Sequence, residues 1–229
     1  MWSPRSRWSC LPEPGTKGID WGGSHQHPFA CVWGCQDATG SWLVYDEYWN
    51  NRGDLTPLDH IRAVREQDRH WGWGQDEEAS WGEVFADPSR PDLINLWRQE
   101  GFPVMPTAGA TGSRVLESIE TIRSLLNQQV AGRPKLLISS RCLHLVEEMR
   151  KYRWKPRSER AVRTAGDPPL QPLKKDDDTV DALRYMIHSV EKQRGAPPGS
   201  VDYRSSRPDV HLSRRGSRRE DWRRGFFRR

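Results

Sequence analysis

Four aspartates stand where apolar runs end or begin, and together they restrict what this chain can become. Asp20 closes Lys17-Gly18-Ile19-Asp20, and Asp87 closes Val84-Phe85-Ala86-Asp87. Asp178 and Asp181 open the stretch Asp178-Thr179-Val180-Asp181-Ala182-Leu183-Arg184-Tyr185. The first two runs read as buried strands and the third as the mouth of a helix. Carboxylates held close together in a poorly solvated place raise one another's pKa, because like charges oppose ionisation. A divalent cation removes that penalty, and hard oxygen donors suit Mg2+ or Mn2+. The four positions are therefore candidate metal ligands. Each has a plainer explanation when taken alone. Asp20 suits a turn, Asp87-Pro88 suits a helix N-cap, and an acidic run suits the positive end of a helix dipole. The spacing of Asp178 and Asp181 adds information, since residues three apart share one helix face.

The order of elements follows from hydrophobic periodicity. Strands are expected at Lys17 to Trp21, Phe29 to Gly34 and Trp42 to Tyr48, the last two joined by the turn Asp37-Ala38-Thr39-Gly40. A helix follows from Thr56 or Pro57 to His70, with apolar positions Leu58, Ile61, Ala63 and Val64. Residues 71 to 82, rich in Gly and Trp, carry no clear period. Then come a strand at Val84 to Ala86, a helix from Pro91 to Gly101, and a strand at Val104 to Pro106. A helix from Arg114 to Gln129, a strand at Leu136 to Ser139 and a helix from Leu143 to Tyr152 complete the alternation. Residues 155 to 175 form a connector rich in Pro and Arg, and Asp178 to Lys192 is the closing helix. Three meandering strands followed by alternating helices and strands predict an α/β fold, a mixed central sheet flanked by helices. The expected organisation is an extended segment over 1–16, one folded domain over 17–192 and an Arg-rich disordered tail over 193–229.

Charge is distributed unevenly. The 229 residues carry +5, yet the stretch from Val201 onward holds ten Arg against four Asp or Glu, which leaves the rest at about −1. Basicity belongs to the C-terminus and points to a polyanionic partner there. Arg214, Arg215, Arg218, Arg219, Arg223 and Arg224 alternate with Trp222, Phe226 and Phe227 nearby, a mixture able to neutralise phosphates and stack on bases. Only 34% of residues are hydrophobic, and the twelve Trp are expected to fill the core, among them Trp21, Trp33, Trp42, Trp49 and Trp81. Cys31 and Cys35 share one strand face, but no second pair at zinc-finger spacing accompanies them or Cys10 and Cys142. Free thiols are expected. No apolar run approaches membrane-spanning length and no signal-peptide stretch opens the chain, so no membrane partner is expected.

In combination these motifs resemble the nuclease domain of the large terminase subunit of tailed phages, a ribonuclease H-like fold. The resemblance runs from about Lys17 to Lys192. It rests on Gly18-Ile19-Asp20-Trp21-Gly22, the hairpin ending Val44-Tyr45-Asp46-Glu47-Tyr48, Ala86-Asp87-Pro88-Ser89-Arg90-Pro91, the stretch Glu147 to Trp154, and the closing Asp178 to Tyr185. It implies a metal-dependent endonuclease cutting double-stranded concatemeric viral DNA during genome packaging, with two Mg2+ or Mn2+ ions flanked by carboxylates. By position, Asp20, Asp87 and Asp181 match the family's acidic triad, with Asp20 bridging both metals. Asp178 matches a position where many relatives carry His. Glu47 or Asp46 is a possible secondary residue, one facing the site and the other solvent. His25 and His27 are candidates to touch substrate. The resemblance also implies a packaging ATPase, a small terminase subunit and a portal protein as partners, in the cytoplasm of a host cell.

One departure qualifies this picture. Large terminases carry an ATPase with a Gly-x4-Gly-Lys-Ser/Thr loop, and Gly109-Ala110-Thr111-Gly112-Ser113 lacks the lysine. The expectation is a nuclease without its own motor. Three other readings stay open: a catalytically inactive DNA-binding remnant, a resolvase- or transposase-like nuclease with similar acids, and a sugar-kinase or actin-like phosphate turn at Gly18 to Gly23.

Overall fold

The computed structural model describes residues 15–22, 27–74, 81–107, 110, 112–156 and 171–195. Cys10, Gly23, His25 and the Arg-rich tail from 196 onward lie outside the described residues.

The strands in chain order are β1 (Thr16–Asp20), β2 (Phe29–Gln36), β3 (Trp42–Asn50), β4 (Val84–Ala86), β5 (Val104–Pro106), β6 (Gln129–Val130), β7 (Arg133–Pro134) and β8 (Leu136–Ile138). Six of them form one mixed sheet in the order β5-β4-β1-β2-β3-β8. The first three strands meander antiparallel, while β4, β5 and β8 join in parallel. Parallel pairing needs crossovers, which α1 (Pro57–His70), α2 (Pro91–Gln99) and α3 (Ser113–Asn127) supply, followed by α4 (Leu143–Lys151) and α5 (Asp178–Gly195). The expected alternation and mixed sheet are both present. The closing helix runs three residues beyond Lys192, to Gly195.

Two differences from the expected elements have local causes. Helix α3 stops at Asn127, and β6 pairs with β7 as a small separate hairpin. Its turn residues Ala131 and Gly132 both have positive φ, 51° and 75°. Only the glycine advertises that geometry. The second difference lies in β3, where Trp33 pairs with Asp46 but Gly34 pairs with Val44. Tyr45 is thus an extra residue, a bulge that changes the facing of everything after it.

Side chains alternate along β1, so one strand serves two cores. Lys17, Ile19 and Trp21 face α1 and α2 with Phe29, Cys31, Trp33 and Trp97. Of the tryptophans expected in the core, Trp21, Trp33 and Trp42 are buried, while Trp49 and Trp81 are partly so. Cys31 and Cys35 share the α1 core as free thiols, and Cys142 is free in the other. Helix α1 starts as its sequence predicts. Thr56 and Asp59 cap each other's backbone N–H and Pro57 occupies the first turn, the reciprocal arrangement that satisfies two orphan donors.

The opposite face of β1 presents Gly18 and Asp20 to α5. A Cβ on Gly18 would lie 1.9 Å from the carbonyl oxygen of Ala182, and one on Gly34 would lie 2.6 Å from the Met186 Cε. These glycines let the helix settle directly on the strands. Ala182, Leu183, Met186 and Ile187 fill that contact, each fully buried. Gly18→Ala is therefore expected to push α5 off the sheet. It should cost about 1–3 kcal/mol, the usual range for overpacking, read as a lowered urea midpoint with an unchanged m-value.

Candidate metal centre

Asp20 and Asp87 end or follow the neighbouring parallel strands β1 and β4, paired with Ile19 opposite Ala86. Both carboxylates therefore lie at one edge of the sheet. Across that edge comes the first turn of α5, bringing Asp178 and Asp181. Asp20 registers all of them. Burial pushes its carboxyl well above the ordinary value, and Asp181, Asp178 and Asp87 add to the rise in that order, while Lys174 opposes it. The four aspartates singled out in the sequence are thus brought within electrostatic reach of one another.

The plainer explanations for each can now be weighed. Asp87 does not cap α2, whose N-cap is Arg90. It forms a local turn, accepting from the Ser89 N–H at 2.9 Å. Gly22 has a local reason to be glycine. A Cβ there would sit 1.8 Å from the Pro28 oxygen, so the glycine accommodates its own chain. The acidic start of α5 does pair with a nearby lysine. Lys174 holds Asp181 Oδ2 and approaches Asp177 Oδ2 at 3.2 Å. Burial works against the charge of Lys174, yet Asp181 and Asp177 keep its pKa above the ordinary value.

Three residues outside the sequence-derived set build the geometry. Arg184 is buried and grips Asp181 Oδ1 through Nε at 3.0 Å and Nη2 at 2.6 Å, while its Nη1 donates to Ser118 Oγ at 2.7 Å. Asp181 is therefore oriented from its own helix and from α3. Glu148 on α4 accepts from Thr179 N at 2.8 Å, Thr179 Oγ1 at 2.5 Å and Val180 N at 3.2 Å. It caps the first turn of α5 from a different helix, and its burial raises its own pKa. Tyr185, one turn beyond Asp181, is held as the neutral phenol by burial and then by Asp20, Asp181 and Asp87. The spacing of Arg184 from Asp181 was visible in the sequence. Nothing local announced Glu148.

Asp46 and Glu47 have other work. Asp46 accepts from Trp71 Nε1 at 2.7 Å and from Gln67 Nε2, both on or beside α1. Glu47 caps α4, accepting from His144 N at 2.8 Å and Leu145 N at 2.9 Å. Neither faces solvent, with Asp46 and the Glu47 side chain each 6% exposed. The expectation that one of them faces solvent fails because helices cover both faces of the sheet at this point, α1 over Asp46 and α4 over Glu47, and the bulge at Tyr45 sets which residue takes which face. His27 is exposed.

The donors fit a hard divalent cation in kind, being carboxylate oxygens, and the ionisation of Asp20 and Asp178 is opposed by burial and by neighbouring carboxylates. Among the described residues, no three His, Cys, Asp or Glu side chains stand in a coordinating arrangement. At Asp181 one oxygen is held by Arg184 and the other by Lys174.

Asp178 titrates at about 7, lifted by burial and then by Glu148 and Asp177. A carboxyl whose pKa is higher folded than unfolded stabilises the fold fully below its unfolded value of about 3.9 and loses that contribution as pH rises through about 7. Asp20 shifts in the same direction. In chelator, the wild-type chain is expected to lose stability between about pH 4 and pH 7. Asp178→Asn should lose less, so that its urea midpoint lies above wild type at pH 8 and converges with it at pH 4.

Neither a family model nor a curated protein matches this sequence. Solved structures do match the fold. The large terminase of a thermophilic bacteriophage superposes with a TM-score of 0.61 and 22% identity, over 78% of this chain and 40% of that one. The nuclease domain of the P22 large terminase superposes with a TM-score of 0.53 and 19% identity, over 78% of this chain and 81% of that one. The chain therefore spans about two fifths of the thermophilic phage protein's length and most of the P22 domain's. By its strand order, its helices and these superpositions, the chain has the ribonuclease H-like α/β fold of a large-terminase nuclease domain.

Proposed function

We propose that this protein is a divalent-metal-dependent endonuclease of the large-terminase type, cutting double-stranded concatemeric viral DNA. The observation that carries the proposal is the coupling of Asp20 to Asp181, Asp178 and Asp87 at one sheet edge, on a fold shared with a terminase nuclease domain. Asp20, Asp87 and Asp181 would hold two Mg2+ or Mn2+ ions with Asp178 assisting. Bound there, such ions would supply the Lewis acidity that activates water and offsets charge on the leaving oxygen. The chain's own contribution is placement. Arg184 fixes the rotamer of Asp181, Glu148 fixes the start of α5, and Tyr185 keeps a phenol proton beside Asp20 and Asp87. Asp178 replaces the His of many relatives yet titrates near neutral pH, close to imidazole's ordinary value of about 6.5. A packaging ATPase, a small terminase subunit and a portal protein are the partners this reading brings with it. Among the described residues no helix is long and apolar enough to cross a membrane.

A second reading, a DNA-binding relative that does not cut, draws on one observation. Asp181 is saturated by Arg184 and Lys174 together. Two experiments decide between them. Purified protein with Mn2+ is expected to nick supercoiled plasmid, and Asp20→Asn or Asp181→Asn should abolish nicking while far-ultraviolet circular dichroism stays native. Wild type that neither nicks nor binds Mn2+ in a calorimeter removes the nuclease proposal. Lys174→Ala should tighten Mn2+ binding about tenfold or more, since a charge-assisted hydrogen bond of about 1.5–3 kcal/mol no longer competes. Unchanged or weaker binding would show that Lys174 is not the competitor.

A further inference from the structure

Between α4 and α5 the chain pairs with itself beside the carboxylates. Trp154 bridges Pro172 antiparallel, Lys155 N–H donates to the Gln171 carbonyl at 2.8 Å, and Leu173 N–H donates to the Arg153 carbonyl at 2.9 Å. Successive side chains of an extended segment point to opposite sides. Pro172 is accordingly buried, while Arg153, Lys155 and Gln171 are exposed on the other side. Arg153 and Lys155 stand two residues apart on that side, about 6.6 Å, close to the separation of successive phosphates along a nucleic-acid strand. Lys175, also exposed, follows two residues beyond the pairing. Among the described residues, no carboxylate forms an ion pair with any of these three cations.

Helix-end effects explain other basic residues here, but not these. Arg150 and Lys151 lie in the last turn of α4, where cations complement the helix dipole. The nearby acids are spent on Lys151, which pairs with Glu147 and also feels Asp176. Arg153, Lys155 and Lys175 belong to no helix. Three exposed cations on one short ladder, without acids between them, are complementary to a polyanion. The ladder's place selects which one. It begins after Tyr152, whose surroundings include Arg184, Asp181, Lys174 and Asp177, and it ends just before Lys174, which holds Asp181. We propose that residues 153–155 and 171–175 form a phosphate-binding surface for one strand of the duplex DNA entering the carboxylate cluster, with Arg153, Lys155 and Lys175 each meeting a phosphate. The proposal rests on the nuclease reading above and deepens it, placing the substrate's backbone on the folded body rather than on the Arg-rich tail alone. Backbone contacts fix position and carry no base sequence, so this surface serves any duplex.

The test measures binding of the full chain to a short blunt duplex in Ca2+ by fluorescence anisotropy, over a series of salt concentrations. Each phosphate contact contributes about 0.9 to the slope of log affinity against log salt concentration. Arg153→Gln, Lys155→Gln and Lys175→Gln combined are expected to flatten that slope by about 0.9 for each cation removed, alike for duplexes of different sequence. The tail is the same in every variant, so its share cancels. Mn2+ affinity, read by calorimetry, should not weaken, because none of the three pairs with an aspartate of the cluster. Arg62→Gln with Arg123→Gln removes exposed cations paired with Asp59 and Glu120 on other helices, and should leave the slope at the wild-type value. An unchanged slope in the triple variant, or equal flattening per cation in the control, overturns the surface and leaves the nuclease reading standing. An unchanged slope with lost binding to polyglutamate would assign the three cations to an acidic protein, and also overturns it. Wild type that binds no duplex overturns both. A slope that flattens as expected in a protein that neither binds Mn2+ nor nicks plasmid supports the phosphate surface and removes the nuclease reading alone.

Discussion

The crossing of α5 over β1 is the contact on which the rest depends. Gly18 has no side chain where Ala182 needs its carbonyl, and Gly34 leaves room for Met186. With the helix that low, its first turn overhangs the end of the strand, and Asp20 comes under the influence of Asp181 and Asp178. A helix raised by a single methyl layer would still bury its apolar face, but its acids would stand away from Asp20. The small residues thus serve the carboxylates as much as the core, and the interaction that packs the domain is also the one that assembles the candidate site.

The two faces of the sheet treat buried charge in opposite ways. On the α1 face, Lys17 meets Asp68 at 3.0 Å with both side chains fully buried, and Trp33 Nε1 donates to the same carboxylate at 2.7 Å. Burial still raises Asp68 above its ordinary value, with Lys17 and Trp33 opposing the rise. That pair matches one acid to one base and ties α1 to the sheet. On the α5 face, several carboxylates crowd around Lys174, which is itself half-exposed at 51%. On one side a carboxylate has a buried lysine of its own, whereas on the other Asp20 is opposed by Asp181, Asp178 and Asp87 and relieved by Lys174. Such an imbalance is characteristic of sites shaped for a ligand rather than for stability.

Much of this was legible in the chain, and the remainder failed for identifiable reasons. The α/β alternation and the positions of Asp20, Asp87, Asp178 and Asp181 follow from local periodicity, because each signal lies within a few residues. The fates of Asp46 and Glu47 were not legible. The bulge at Tyr45 comes from pairing with β2, and no local property of Tyr45 marks it. Glu47 and Glu148 each cap a helix that starts far along the chain. Sequence reasoning finds caps when they precede their own helix, as Thr56 does, and misses those delivered through space. The helix dipole was a sufficient plain explanation of the acidic run at Asp178 and Asp181, and it took no account of Lys174. Its place against Asp181 means that the lysine pairing and the proposed cation site call on the same carboxylate.

That last point bears on how stability and ligand binding are joined here. The raised pKa values of Asp20 and Asp178 mean that burial first, and neighbouring carboxylates after it, oppose their ionisation at neutral pH. A ligand that binds only the folded chain returns free energy to it by mass action, and a cation relieving this repulsion would do so at the point where strain is stored. Arg184 and Glu148 make that relief local. Under the proposed function, with Asp181 gripped at Oδ1 and the helix start capped from α4, a cation would replace Lys174 at a carboxylate already held in place. The rigid supports lie beneath the acids, and the exchangeable cation comes from the half-exposed lysine just ahead of the helix. Under the proposed function, such a division would let one carboxylate cluster remain folded when empty and become competent when filled.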